Sequence, residues 1–320
     1  MVEQPFVSVV LATFNRKEQL KECLDSLLKQ SYPKEKYEII AVDDGSKDGT
    51  RDVLADYEQK NSGLIKFFAQ KNAGAAAARN LGIENSKGDI VCLTDDDCIA
   101  DEKWIITLIS HYAEGVGGVG GRIVAYKPET NVERYADLYN QEQVSRTSLM
   151  TGNASYKRDI LRKIGGFDIK LLALEDIDLG IRVRREGFAL KYAPEAVIYH
   201  RNYRTVGTLI KKKYAEGLAF VCLSKKYVKH FSVSFHLAKW DLKIFSKLIL
   251  FPIGVVYAKK KKDYAFSQFF NIIVLCSQVL GITVGAFTVD YTGHKVVERM
   301  DFMDEESISG LMKKVLLRKV

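Results

Sequence analysis

Apolar residues follow two alternating patterns along the N-terminal two thirds of the chain. Short unbroken runs at residues 6–13, 37–42 and 64–68, and the run ending Val91-Cys92-Leu93-Thr94, have strand length and β-prone composition. Between them the spacing becomes helical: Leu20, Leu24, Leu27 and Leu28 share one face of residues 17–30, and Pro33 stops that segment. A second helix is expected at residues 53–59 and a third in the alanine-rich stretch containing Arg79 and Asn80. Apolar strands alternating with amphipathic helices predict an α/β protein built on a parallel, doubly wound sheet. Asn15 stands where an N-cap is expected before the first helix, and residues 43–50 form a loop of turn formers before the second.

Beyond the fourth strand the pattern predicts a helix at residues 103–111, a strand at 121–126, a short strand at 150–156, a helix from Glu175 through Arg185 and a strand at 196–199 ending in His200. Residues 115–120 satisfy Gly-x-Gly-x-x-Gly, but a helix precedes them and a strand follows, the reverse of the order a dinucleotide site requires. These glycines are expected to permit a tight helix-to-strand turn. The first strand-to-helix turn, residues 12–16, contains no glycine, which counts strongly against an NAD or FAD site.

The chemistry concentrates at strand ends. Asp95, Asp96 and Asp97 follow the fourth strand at the edge where open α/β sheets bind ligands. Crowded carboxylates repel one another unless a cation lies among them, and hard oxygen donors suit Mg2+ or Mn2+ better than Zn2+. A solvated acidic turn ahead of the next helix would give the same triplet. Glu175, Asp176 and Asp178 occupy the first turn of a predicted helix, where its dipole favours ionised carboxylates. The five cysteines form no Cys-x-x-Cys pair, so neither a disulfide framework nor a zinc site is indicated and a reducing cytosol is expected. The first residues show no basic segment leading into an apolar core, so no secretory signal is expected.

Taken in order, Ser8-Val9-Val10-Leu11-Ala12-Thr13-Phe14-Asn15-Arg16, Val42-Asp43-Asp44-Gly45-Ser46, Asn72-Ala73-Gly74 with Arg79-Asn80, Asp95-Asp96-Asp97, Thr151-Gly152-Asn153, Gly165-Gly166-Phe167-Asp168, Glu175-Asp176 and His200 resemble a family 2 glycosyltransferase of the GT-A fold, the nucleotide-diphospho-sugar transferase sheet. The resemblance covers most of residues 6–200. It implies an inverting transfer of a sugar from a nucleoside diphosphate donor to an acceptor hydroxyl. By it, Ala12 and Phe14 line the base pocket, Asp44 bonds the base, and Arg79, Asp95 and Asp96 bind the nucleotide sugar, with Asp95 facing the ribose. It also implies that Asp97 and His200 hold Mg2+ or Mn2+, that Asp176 is the general base, and that Gly152, Asn153 and Glu175 lie beside the sugar or acceptor. Trp104 is expected to pack rather than to serve as a sugar platform. A nucleotidyltransferase on a similar sheet would want a glycine-rich, basic first loop, and a non-catalytic nucleotide-sugar or glycan-binding module would tolerate loss of Asp97 or Asp176.

Net charge divides the chain. Residues 201–262 carry 15 Lys/Arg against 2 acids, or +13 of the +8 total, which leaves −5 for the remainder. A boundary is therefore expected near residue 203, separating a catalytic domain (1–203) from a helical, basic and apolar C-terminal region (204–320). Residues 205–228 read as a basic helix, and residues 264–289 run uncharged for 26 positions, diluted by Gln268, Asn271, Ser277 and Gln278. Their length permits a membrane span of about 20 residues, while their polarity makes it marginal. Residues 244–258 are mostly apolar and end in lysines; Ile308, Leu311, Met312, Val315 and Leu316 form an apolar stripe beside four basic residues, the pattern of a helix lying on a membrane. A packed helical subdomain with a solvated basic face is the alternative. No nucleic-acid-binding signature accompanies the charge, so nucleic acid is not an expected partner. The processive members' Gln-x-x-Arg-Trp motif is missing, which implies one sugar per encounter, onto a glycan or lipid-linked acceptor at the cytoplasmic side of the membrane.

Overall fold

Alternation along each strand sets the layers. In β1 (Val7–Thr13), Val7, Val9 and Leu11 point into one apolar core while Val10 points into another. β2 (Tyr37–Asp43) and β4 (Ile90–Asp95) divide in the same way, with Ile39 and Cys92 on the first face and Ile40, Val42, Val91 and Leu93 on the second. Both faces of the sheet are therefore covered, which is why these strands read as continuous apolar runs. The first core is closed by α1 (Lys17–Leu28), α2 (Thr50–Lys60) and α4 (Trp104–Ser110), the last through Trp104, Ile105 and Leu108. The second is closed by α3 (Ala75–Glu84), α5 (Arg158–Lys163) and α6 (Glu175–Arg185), through Ala78, Ile160, Leu161, Leu179 and Val183.

The remaining strands are β3 (Ile65–Ala69), β5 (Cys98–Ala100), β6 (Val116–Ala125), β7 (Ala154–Lys157) and β8 (Ala189–His200). All eight form one sheet in the order β3-β2-β1-β4-β7-β6-β8-β5. The first four in this order are parallel, as the strand and helix alternation predicts. β7 then runs antiparallel to both β4 and β6, and β5 antiparallel to β8, so the sheet is mixed. This computed structural model describes residues 4–135, 149–171 and 173–227.

Three expectations need correction. The glycine run is not a turn: only Gly115 precedes the strand, and Gly117, Gly118, Gly120 and Gly121 lie inside β6. A Cβ on Gly118 would stand 2.7 Å from the Tyr156 ring and one on Gly121 2.0 Å from the Ala196 carbonyl, so these positions are glycine because neighbouring strands approach too closely for a side chain. Asn15 does not cap α1; Arg16 holds the cap position, and the Lys17 N–H is met instead by Asp48 Oδ2 at 3.2 Å. The segment expected as a strand at 150–156 begins with a 3-10 turn, Thr151–Asn153, and becomes β7 only at Ala154.

Among the described residues, those up to 169 with 175–202 form one compact unit, and those of 170–174 with Tyr203 and the residues after it form a second. In the second, α7 (Val206–Tyr227) begins where the Thr205 hydroxyl accepts the Thr208 N–H, and it buries Leu209, Leu218, Ala219 and Val221 while Lys211 and Lys212 stay exposed. Lys213 is buried and paired with Glu216 at 2.9 Å. Among the described residues no helix is long and apolar enough to cross a membrane. The apolar stretches at 244–258, 264–289 and 308–316 lie outside the described residues.

Candidate active site

Strand register delivers the acids to one edge. β1 lies between β2 and β4, with Thr13 beside Asp43 and Ala12 beside Asp95, so the loops that follow all three strands open side by side. The loop at residues 14–16 is fastened to the loop after β2: the Asn15 N–H donates to the Ser46 hydroxyl at 2.8 Å, and Asn15 Oδ1 accepts the Lys47 N–H at 2.7 Å. Asn15 adopts φ 53°, a left-handed conformation that asparagine tolerates better than most residues. Phe14, at the tip, is 44% exposed, and Ala12 beneath it is partly exposed.

The triplet is held by cations of the same chain. Arg79, buried in α3, donates to Asp95 Oδ1 at 2.7 Å and to Glu175 Oε1 at 3.1 Å, and its guanidinium lies 5.8 Å from the centre of the Phe167 ring. One side chain thereby joins the end of β4 to the first turn of α6. Arg16 donates to Asp96 Oδ1 at 3.0 Å and to Asp97 Oδ2 at 2.5 Å. The other oxygen of Asp97 lies 3.3 Å from His200 Nε2. That meeting follows from the β5–β8 pairing, which sets Cys98 opposite His200 and so brings Asp97 alongside the ring. Asn202 Oδ1 lies 2.9 Å from His200 Nδ1 and orients the imidazole from its far side.

These contacts separate the acids electrostatically. Burial pushes Asp96 up to about 6 against the pull of Arg16. Burial would raise Asp97 too, but its bond to His200, the His200 charge and Arg16 outweigh that and hold it below the usual carboxylate range. His200 is lowered by burial and raised more strongly by Asp97, reaching about 9. Asp97, Cys98 and His200 each bring one donor atom within 4.8 Å of one another. Burial drives the Cys98 thiol well up, so it offers no ready thiolate. The donor set left is a carboxylate oxygen and an imidazole nitrogen, which fits a divalent ion that completes its shell with phosphate oxygens and water.

The other predicted residues are placed differently from one another. Glu175, Asp176 and Asp178 form the first turn of α6, but Asp178 is fully buried and paired with Arg182 at 2.7 Å, whereas Asp176 is partly exposed and accepts the Ile177 N–H. A Cβ on Gly152 would stand 3.1 Å from Asp95 Oδ2, so glycine there lets the 3-10 turn pass beside the triplet. Asp44 is turned inward: its oxygens accept from Gln70 Nε2, the Ala73 N–H and the Gly74 N–H at 2.7, 2.8 and 2.9 Å. Asn153, expected beside the sugar, is also inward, bonded to the Trp104 indole and to the carbonyls of Arg122 and Ala196. Trp104 is a packing residue, as expected. Sequence reasoning overlooked Arg16 as a partner of the triplet, although a lone base in the first loop of the ligand edge was the available signal. It also overlooked Asn80, whose amide bonds both the N–H and the carbonyl of Phe167 and so ties α3 to the turn that leads toward α6.

The mixed sheet with an acid triplet at its open edge is that of the GT-A fold. The profile of glycosyl transferase family 2 matches residues 8–169, and the chain belongs to that family. Glycosyltransferase AglE of Haloferax volcanii is 32% identical over 220 residues, 67% of this chain and 72% of that one. Glucosyl-dolichyl phosphate glucuronosyltransferase of the same organism is 30% identical over 226 residues, 62% of this chain and 71% of its own. Among solved structures, the mannosyltransferase PcManGT from Pyrobaculum calidifontis, in complex with GDP-Man and Mn2+, is similar in fold, with a TM-score of 0.69 at 18% identity over 90% of this chain and 89% of that one.

Proposed function

We propose that this glycosyltransferase is inverting and metal-dependent, and that it moves one sugar per encounter from a nucleoside diphosphate donor to a hydroxyl of a glycan or lipid-linked acceptor. The observation that carries the reading is the Arg79 bridge, which holds the donor-side carboxylate Asp95 and the acid-bearing first turn of α6 on one guanidinium. Phe14 stacks on the base beside Ala12, Asp95 faces the ribose and Asp96 supports the nucleotide from below. Asp44 and Asn153 serve by holding the loops around the donor. Asp97 and His200 hold Mg2+ or Mn2+, which when bound supplies a Lewis acid for the charge that builds on the departing diphosphate.

The acceptor hydroxyl attacks the anomeric carbon from the face opposite the diphosphate. A new carbon–oxygen bond forms as the bond to the diphosphate breaks, and the leaving group takes the electron pair. The acceptor's proton passes to Asp176, the partly exposed carboxylate of the α6 turn, while Glu175 and Gly152 lie beside the sugar or acceptor. The named relative that acts on glucosyl-dolichyl phosphate supports a lipid-linked acceptor, and the basic C-terminal region supports work at the cytoplasmic face of a membrane. The test is transfer from UDP-, GDP- and dTDP-sugars to lipid-linked acceptors, with the anomeric configuration of the product read by NMR. An α-linked donor should give a β-linked product, and retention of configuration would overturn the single displacement.

A further inference from the structure

The Arg16 contact has a consequence for how the metal is taken up; it rests on the reading of Asp97 as a metal ligand. Arg16 is fixed at its backbone while its side chain is 48% exposed: its carbonyl accepts the Leu20 N–H at 3.0 Å and the preceding Asn15 is bonded on both sides. The guanidinium lies 2.5 Å from Asp97 Oδ2 and 3.0 Å from Asp96 Oδ1. Asp97 Oδ1 faces His200 Nε2, so each oxygen of Asp97 has a cationic or potentially cationic neighbour. A divalent ion held by Asp97 and His200 competes with this guanidinium for the charge of one carboxylate, so its uptake favours an arm that has moved away. The side chain is half-exposed, which leaves room for the arm to move toward solvent.

A guanidinium displaced at this edge needs a new anion, and a diphosphate matches its planar donor fork. We propose that Arg16 is a resident cation of the metal site, exchanged for Mg2+ or Mn2+ when a nucleoside diphosphate arrives to receive its guanidinium. Metal and donor then bind cooperatively: Arg16 opposes metal uptake while the diphosphate is missing and helps hold the diphosphate once it is present. Linkage makes the coupling reciprocal, so the factor by which nucleotide raises metal affinity equals the factor by which metal raises nucleotide affinity.

The test follows free Mn2+ by electron paramagnetic resonance, which needs no turnover, in the wild type, Arg16→Met, Arg16→Lys and Asp97→Ala, alone and with UDP, GDP or dTDP. Arg16→Met should bind Mn2+ without nucleotide about tenfold more tightly than wild type, the effect of removing one charge-assisted competitor. Its gain in Mn2+ affinity on adding nucleotide should be about tenfold smaller than in the wild type, the remainder coming from direct ligation by the diphosphate. Arg16→Lys keeps the charge without the fork and should fall between. Melting curves in EDTA should show all variants folded, with Mn2+ raising the melting temperature of Arg16→Met more than that of wild type. Wild-type uptake that Arg16→Met leaves unchanged, with and without nucleotide, would overturn the exchange and leave the metal site standing. Uptake by neither protein under any nucleotide, or uptake retained by Asp97→Ala, would overturn the metal site and the exchange together.

Discussion

Asp43-Asp44 and Asp95-Asp96-Asp97 look alike in sequence, each an acidic run closing a buried strand of the same sheet, yet their partners differ in kind. Asp44 is bound by backbone N–H groups of Ala73 and Gly74, and Asp43 Oδ1 by the Ser46 N–H, with Arg51 on Oδ2 at 2.6 Å. Backbone donors cannot leave without unfolding the loop. The triplet is instead held through side chains, Arg79 on Asp95, Arg16 on Asp96 and Asp97, and His200 on Asp97, and side chains can be exchanged for a ligand. Within one helix turn burial draws the line instead: Asp178 is buried against the Arg182 side chain, and Asp176 is partly exposed. An acid at a strand or helix end is thus read by what satisfies it, not by its neighbours in sequence.

The largest effect should separate the two acids of α6. Asp176→Asn keeps the side-chain shape but cannot take a proton, so turnover should fall by about 100 to 10,000-fold while donor affinity changes by a few fold at most. Near-normal turnover would make Asp176 a helix cap. Asp178→Asn should act on folding instead, because breaking a buried pair costs on the order of 3–5 kcal/mol. Urea melts read that loss, and a stable variant would erase the distinction. Next in size, Asp44→Ala leaves two backbone N–H groups without their acceptor and should cost about 2–4 kcal/mol in the same assay.

Acidity should separate the runs by sign. The carboxyl of Asp43 is opposed by burial but lowered by its bonds to Arg51 and Ser46, so its contribution is present above the unfolded value of about 4 and is lost as pH falls through the lower folded value. Asp96 goes the other way. Its folded value of about 6 means that the folded state keeps a proton the unfolded chain has lost between about 4 and 6, so its contribution declines as pH rises across that window. In EDTA, Asp43→Asn should flatten the acid limb of the stability curve, and Asp96→Asn should remove the decline and raise the melting temperature at neutral pH. Equal pH profiles for the two variants would contradict the assignment. The smallest effect belongs to the exposed pair of Lys60 and Asp56 on α2, 2.7 Å apart, where Asp56→Asn should change stability by less than about 0.5 kcal/mol.

Much of this was legible in the chain. The four parallel strands carry apolar runs because both faces are buried, and the loops after β1, β2 and β4 open together because parallel strands share one direction. The family's motifs were legible for the same reason, since most of them stand at those strand ends. The antiparallel β7 was not, because a four-residue strand has too little alternation to declare its direction. The glycines of β6 were misread because close strand packing and a turn both call for a missing side chain. Arg16 meets Asp97 across 81 positions, a contact set only by register. The inward turns of Asp44 and Asn153 were equally hidden, since an acid or amide at a strand end has the same sequence whether it faces a ligand or a neighbouring loop.

The most direct test of the exchangeable-cation account is calorimetric titration of UDP and GDP into the wild type and Asp97→Asn, each with Mn2+ and with EDTA. The account predicts tight binding of one nucleotide to the wild type in Mn2+ alone, and weak binding to Asp97→Asn that Mn2+ does not improve. Binding to Asp97→Asn that still strengthens with Mn2+ as in the wild type would show that the cation sits elsewhere, and the contrast between the two acidic runs would lose its functional half.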